Sequence, residues 1–318
     1  MNNLRSATLL KIRIATRKSP LALWQAEHIA AKLYSHDEIS EVELIPMTTK
    51  GDKILDRSLQ KIGGKGLFVK ELEIAMLDGK ANLAVHSMKD VPSELPNGFC
   101  IAATLARANH RDALITKNGE NLYKLKENAI IGTSSLRRQS QLKILRPDLQ
   151  IRSLRGNVDT RLAKLRNGDY DGIVLAAAGL ERLQLSNYIN HEFSSSEMLP
   201  AAAQGVLGIE CLDSDTKLCE ILKSLNDKTT YQTTIAERII ARELNASCQS
   251  PIAAYATIKN NLLKLTALVA KPNGENIIKD SIIGDSGGAE QLSETLASRL
   301  EANGAKDLLK SIETTNDS

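Results

Sequence analysis

The sequence predicts an α/β protein with two strand–helix alternating domains and a small C-terminal α+β domain. Short apolar strands alternate with amphipathic helical stretches from residue 11 onward. The alternation restarts at residue 112, and from residue 253 three strand-like runs follow one another through Asn- and Gly-rich turns. Length agrees: 318 residues exceed one ordinary core and suit two or three domains. The expected partition is 1–105 with 200–223 as a discontinuous first domain, 106–199 as the second and 224–318 as the third.

KIRIAT (11–16) alternates as a strand does, and Ser19-Pro20 supplies an N-cap and a first-turn proline for the helix LALWQAEHIAAKL. EVELIPM reads as a strand, LFVKELEIAML as a helix and NLAVHS as a further strand, which together predict a parallel, helix-covered sheet. Between them GDKILDRSLQKIGGKG (51–66) is polar and glycine-punctuated, a loop expected to be mobile and close to a site. The second unit runs DALIT, AIIGT, a helix from Ser135, LQIRSL, a helix from Asn157, and GIVLAAAGL as a buried strand. MLPAAAQGVLGIEC (198–211) reads as a strand segment able to cross back to the first sheet. TTIAERIIARELN opens the last unit as a long helix, and EQLSETLASRLEANG closes it as the final helix, with Gly304 at its C-cap.

Composition narrows the function. The net charge is only +3, so the positive charge of residues 134–161, SSLRRQSQLKILRPDLQIRSLRGNVDTR, is local. Aromatics at 3% are too few for base-stacking platforms, and no nucleic-acid-binding motif occurs, so a nucleic-acid partner is not expected. Neither an export signal nor an apolar stretch of membrane-spanning length is apparent, which points to the cytoplasm and away from a membrane. Cys100, Cys211, Cys219 and Cys248 lack CxxC spacing and the five histidines are dispersed, so neither a disulfide framework nor a metal site is expected.

In GTSSLRRQ a strand leads into a Thr133-Ser134-Ser135 run that can cap a helix, with Arg137 and Arg138 in its first turn. SLRGN ends the next strand and places Arg155 in the same kind of loop; Arg161 lies one turn into the following helix. Any one of these arginines alone would read as solvated or paired with an acid. Together, at the carboxyl ends of strands, Arg137, Arg138 and Arg155 suggest a cleft for carboxylate or phosphate. Arg146, Arg152 and Arg166 read as ordinary surface arginines.

AVHSMKDVPSELP places Lys89 and Asp90 just past a strand and before Pro92, which biases Val91 toward an extended backbone. Asp90 either pairs with Lys89 or moves a proton and stabilises a cation; the residues alone leave both open. Cys248, in ELNASCQSPIAAYA, is either an inert buried thiol or a reactive one in a polar turn. His86 reads as a strand residue with a satisfied ring.

Taken in order, RIATRKSPLALWQA, KGDKILD, GGKGLFVKELE, AVHSMKDVP, GTSSLRRQ, IRSLRGNVDTRLAKL, LAAAGLERL, LPAAAQGVLGIE and CQSPI resemble porphobilinogen deaminase (hydroxymethylbilane synthase), densely over residues 11–255. The resemblance implies two lobes like those of periplasmic solute-binding proteins, and a third domain bearing a cysteine. It implies a dipyrromethane cofactor, one per chain, held through a thioether at Cys248. On this primer four porphobilinogens condense head to tail with loss of ammonia, and the linear product is hydrolysed off and passed to uroporphyrinogen-III synthase. Asp90 is implied as the catalytic carboxylate. Lys89, Thr133, Ser134, Ser135, Arg137, Arg138 and Arg155 are implied to hold the cofactor's carboxylates. Arg17, Ser19, Lys65, Phe68, Arg155, Arg161 and Arg182 are implied on the substrate side, with Lys65 and Phe68 at the lid. A monomer is implied. One departure stands out: Ala246-Ser247 occupy the place where the family often has two glycines.

Overall fold

The structure is a computed structural model that describes residues 9–53, 66–247 and 250–316. Lys65 and Cys248, and most of the 51–66 loop, lie outside the described residues.

The first sheet is built from β1 (Leu10–Arg17), α1 (Pro20–Tyr34), β2 (Ile39–Met47), α2 (Lys50–Lys53), α3 (Lys70–Leu77), β3 (Leu83–Ser87) and β4 (Phe99–Thr104). Ser19 caps α1 as expected, its Oγ accepting from the Ala22 amide, and Pro20 fills the first turn, where no amide donor is needed. The helix buries Ala26, Ile29 and Leu33 against Ile12 and Ile14 on one face of the sheet. Leu72 and Met76 of α3 cover the other face. Burial on both faces explains why β3, LAVHS, is buried from Leu83 to His86, whereas β1 keeps Lys11 and Arg13 toward its more open start.

The second sheet comprises β5 (Asp112–Thr116), β6 (Ile130–Gly132), α4 (Leu136–Leu145), β7 (Gln150–Arg152), α5 (Val158–Arg166), β8 (Gly172–Ala176), α6 (Ala177–Arg182) and β9 (His191–Glu192), in the strand order β7-β6-β8-β5-β9. The run 172–180 is therefore a strand only as far as Ala176. Beyond it Ala177, Ala178, Gly179 and Leu180 wind into α6, since alanine favours helix and carries no β-branched bulk to hold the strand.

The chain then crosses back as β10 (Leu207–Leu212), followed by α7 (Thr216–Lys223). Only this end of the 198–211 segment is a strand. Ala203 and Gly205 take φ of 60° and 86°, which breaks any extended run before Leu207. β10 lies between β3 and β4 and is antiparallel to both, so the first sheet, β2-β1-β3-β10-β4, is mixed rather than wholly parallel. At Gly205 an added Cβ would come 2.7 Å from the Ala108 carbonyl oxygen, because the two connections between the sheets pass back to back there.

The remaining chain forms α8 (Lys228–Glu243), β11 (Ile252–Lys259), β12 (Leu262–Val269), β13 (Ile278–Asp285), α9 (Ala289–Ala302) and α10 (Ala305–Asn316). The three strands pair antiparallel in order and pack one face on α8 and α9. Gly304, at φ 89°, ends α9 as expected, but α10 follows it, so α9 is not the last helix. The units meet on Glu237, which is fully buried: its carboxylate accepts from Arg107 Nη2 (2.9 Å), the Ala203 amide (2.6 Å) and the Ala256 amide (2.7 Å).

Candidate functional site

β1 ends on Arg17, and the turn that leads into α1 points its guanidinium across the carboxyl end of the first sheet. Its Nε lies 3.1 and 3.2 Å from the two Asp52 oxygens, Nη2 also bonds Asp52, and the Phe68 ring sits 4.2 Å below the guanidinium carbon. Burial would raise the Asp52 carboxyl, yet Arg17 and Thr49 hold it below its ordinary value. Gly51 packs so closely on Phe68 that any Cβ there would strike the ring.

β3 ends in a 3-10 turn, Met88–Asp90, and Val91 is extended at φ −84°, ψ 127°, as the following proline demands. The turn leaves Asp90 exposed and draws Lys89 inward, its Nζ 3.4 Å from Gln204 Oε1. Arg238 of α8 clamps the segment by donating to the Val91 (3.0 Å) and Ser93 (3.2 Å) carbonyls. Burial, then the charges of Arg138 and Arg137, push Lys89 down to about 8, against a partial offset from Asp90 and Asp112.

In the second sheet Ser135 caps α4, its Oγ accepting from the Arg138 amide at 3.4 Å. Thr133 Oγ1 accepts from the Ser135 amide, and Ser134 Oγ joins this loop to the next through Leu154 N (3.1 Å) and O (2.8 Å). Arg137 and Arg138 are buried at 3% and 6% exposure. Both grip Asp112, which is fully buried: Arg137 Nη1 and Nη2 at 2.8 and 3.1 Å, Arg138 Nε at 2.8 Å. Arg137 also donates to Leu199 O and Arg138 to Val174 O, each at 2.9 Å. Burial would raise the Asp112 carboxyl, but the two guanidiniums and Lys89 pull it far below the usual carboxylate range. Asp112 is a partner that sequence reasoning missed. An acid opening a strand reads as a turn residue, and only the tertiary fold sets it under arginines 25 and 26 residues away.

Arg155 is half-buried in the β7–α5 loop, and Arg161 bends back so that its Nε donates to Gly156 O at 2.8 Å. Burial pushes Arg161 down to about 10, with further lowering from Arg138, Arg155 and Arg17 and an opposing effect from Asp90. Arg17, Arg138 and Arg155, drawn from two sheets, thus act on Arg161, and the exposed carboxylate of Asp90 acts on Lys89, Arg138 and Arg161. Arg182 stands apart. It donates to Gly205 O at 2.9 Å, lies 5.8 Å over Trp24 and lines a shallow pocket of about 370 Å³ with Pro20, Leu23 and Glu27. Burial likewise pushes it down to about 10.

Other sequence expectations resolve locally. His86 Nε2 is 2.8 Å from the buried Glu210, Arg146 is paired with Asp148, and Arg166 stacks on Tyr188. In the turn leading up to residue 248 the positive φ falls on Asn245 (53°), not on Ala246 or Ser247, so alanine and serine in place of glycines cost no backbone strain at either position. The cysteines, by contrast, are not dispersed: Cys100, Cys211 and Cys219 converge at the far end of the first sheet.

Desolvated cations that lower one another's pKa lie here beside the exposed acid Asp90, an arrangement of the class that binds polycarboxylates. The donor set suits a dipyrromethane, whose acetate and propionate groups would relieve that mutual repulsion. A family profile described as "Porphobilinogen deaminase, dipyromethane cofactor binding domain" matches residues 12–220, and one for the "Porphobilinogen deaminase, C-terminal domain" matches 231–302. The porphobilinogen deaminase of Neisseria meningitidis serogroup A is 49% identical over 302 residues, 95% of this chain and 97% of that one. That of Chromobacterium violaceum is 49% identical, over 95% of this chain and 98% of the relative. Among solved structures, the VFT2 domain of Bordetella pertussis BvgS aligns at a TM-score of 0.43 and 13% identity, covering 72% of this chain and 90% of that one. A putative methionine-binding lipoprotein from Bacillus subtilis aligns at 0.42 and 12%, covering 69% and 92%.

The chain belongs to the porphobilinogen deaminase family. It is a transferase of tetrapyrrole biosynthesis that uses a dipyrromethane cofactor and condenses porphobilinogen to hydroxymethylbilane with release of ammonia. Among the described residues no helix is long and apolar enough to cross a membrane.

Proposed function

We propose that the cleft between the two sheets performs the condensation, with Asp90 as its acid and the surrounding cations as carboxylate holders. The observation that carries this reading is the pairing of desolvated Lys89 and Arg161, both lowered by neighbouring positive charge, with Asp90 as the nearby acid that offsets it. Such a group of cations is stabilised by a bound polyanion.

Lys89, Ser135 and Arg155 hold the primer's carboxylates, with Thr133 and Ser134 fixing the loops that present them. Arg137 and Arg138, anchored on Asp112, join this set through their charge, which bears on Lys89. Arg17, Ser19 and Arg161 hold the incoming porphobilinogen, with Phe68 under Arg17 and Lys65 completing the lid side. Arg182 orients the α1 edge of the cleft. When bound through Cys248, the primer supplies the nucleophilic pyrrole carbon. As ammonia leaves porphobilinogen, Asp90 stabilises the cation left on its methylene carbon and pyrrole nitrogen, and then accepts the proton displaced at the new carbon–carbon bond.

The partition into 1–105 with 200–223, 106–199 and 224–318 belongs to the same proposal, supported by β10 lying in the first sheet. So do a monomer, a cytoplasmic location and onward passage of the product to uroporphyrinogen-III synthase.

The test is the intact mass of the denatured chain beside that of Cys248→Ser. The expected wild-type mass exceeds the sequence by two linked pyrrole units, and the variant lacks them. A wild-type chain that stays unmodified even after incubation with porphobilinogen overturns the assignment.

A further inference from the structure

Cys100 meets Cys211 and Cys219, more than a hundred positions later in the sequence, at one point. Cys100 is the second residue of β4, Cys211 is near the end of β10 and Cys219 lies on α7. Their sulfurs form a near-equilateral triangle: Cys100–Cys211 3.8 Å, Cys100–Cys219 3.9 Å and Cys211–Cys219 3.5 Å. Cys211 is fully buried, while Cys100 and Cys219 are partly open to solvent. The cluster sits at the end of the sheet opposite the cleft. In the β10–β3 pairing Cys211 faces Leu83, whereas Leu207 faces Ser87 beside the Asp90 turn.

A pair poised for a disulfide would leave the third sulfur aside; here all three are mutually adjacent. An ion with tetrahedral arms of about 2.3 Å to sulfur spaces its sulfurs about 3.8 Å apart, which is the spacing of this triangle. We propose that Cys100, Cys211 and Cys219 form a binding site for one thiophilic divalent ion of the zinc class, with the fourth position open toward solvent. The all-sulfur donor set selects soft ions over magnesium or calcium. A divalent ion on three thiolates leaves a net charge of −1, whereas a monovalent copper ion would leave −2 against an apolar wall that includes Leu218 and Leu222.

Ion uptake replaces three thiol protons, which leave to solvent. By joining β4, β10 and α7, the ion would fasten the returning strand and the helix after it to the first sheet.

The experiment titrates cadmium, as a probe for the zinc class, into the reduced holoprotein and follows the ultraviolet sulfur-to-cadmium charge-transfer band. The expected band saturates at one equivalent, is removed by added zinc, persists in Cys248→Ser and is lost in Cys219→Ser. Zinc alone is expected to raise the thermal midpoint of the wild type and not of Cys219→Ser. Porphobilinogen turnover reports that Cys219→Ser is folded, and if it is not, Cys100→Ser serves in its place. No saturating band in the wild type, a band unchanged in the folded Cys219 or Cys100 variant, or a band lost in Cys248→Ser overturns the proposal.

Discussion

Arg107 reaches Glu237 at the junction of the three units, Nη2 to Oε1 at 2.9 Å, with the carboxylate fully buried and the guanidinium nearly so. The same guanidinium donates to Gln204 O and Thr233 Oγ1, while Glu237 takes the Ala203 and Ala256 amides. Replacing one partner leaves a buried charge uncompensated. Glu237→Gln is expected to destabilise the protein by roughly 3 kcal/mol. Thermal unfolding checks this, and a midpoint equal to wild type would deny the junction its structural role.

Lys89 couples pH to binding and to stability with opposite signs. Its folded value of about 8 lies below the ordinary 10.5. The charge that holds a primer carboxylate is lost as pH rises through about 8, so the primer is less firmly positioned and kcat is expected to fall there. Fold stability gains over the window from about 8 to 10.5, because only the unfolded chain still binds the proton. Lys89→Arg keeps its charge and should flatten the kcat profile. Steady-state kinetics and denaturant titrations across this range read the two effects separately.

Asp112 is held ionised by Arg137 and Arg138, so it stabilises the fold above the ordinary carboxylate value of 3.8, and that contribution fades as pH falls below it. Asp112→Asn leaves two buried guanidiniums poorly paired and is expected to cost roughly 3–5 kcal/mol. Denaturant unfolding at neutral pH measures the loss. The stability of the variant should also fall less steeply with acid.

Asp90 is exposed and acts on the neighbouring cations only through its charge, so Asp90→Asn is expected to shift the thermal midpoint only slightly. Turnover should fall by about 10²–10⁴-fold, the ordinary contribution of a positioned acid or base. Near-normal turnover by a chain whose mass shows the primer in place would remove Asp90 from the chemistry.

Gly205 has φ 86° and sits against the Ala108 carbonyl. Gly205→Ala adds both a left-handed alanine and a backbone collision, an expected loss of about 1–3 kcal/mol. Chemical denaturation measures it, and a loss well under that range would mean that the two connections between the sheets can separate at little cost.

Local signals carried far in this sequence. The Ser19-Pro20 cap, the Ser135 and Asn157 caps and the extended Val91 before Pro92 each follow from one or two residues, and each is present. What was misread depended on distant partners. The run after Ala176 is apolar in any register, so its period cannot separate strand from helix. β4 and α7 are short, and their apolar positions become meaningful only with β10 between β3 and β4. Arg137 and Arg138 could be assigned to a ligand from their loop, but not to Asp112, because a buried ion pair leaves no trace in spacing. The cysteine triangle is invisible in the sequence for the same reason, Cys100 and Cys211 being 111 positions apart.

The placement of β10 also orders events on the ribosome. β4 is made before the second sheet, yet its sheet partner is β10, which emerges roughly a hundred residues later. At about 5–20 residues per second, β3 and β4 wait with open edges for some ~5–20 s. During that interval the half-made first sheet presents unpaired backbone to any other strand nearby, and translation speed through residues 105–207 sets how long that exposure lasts.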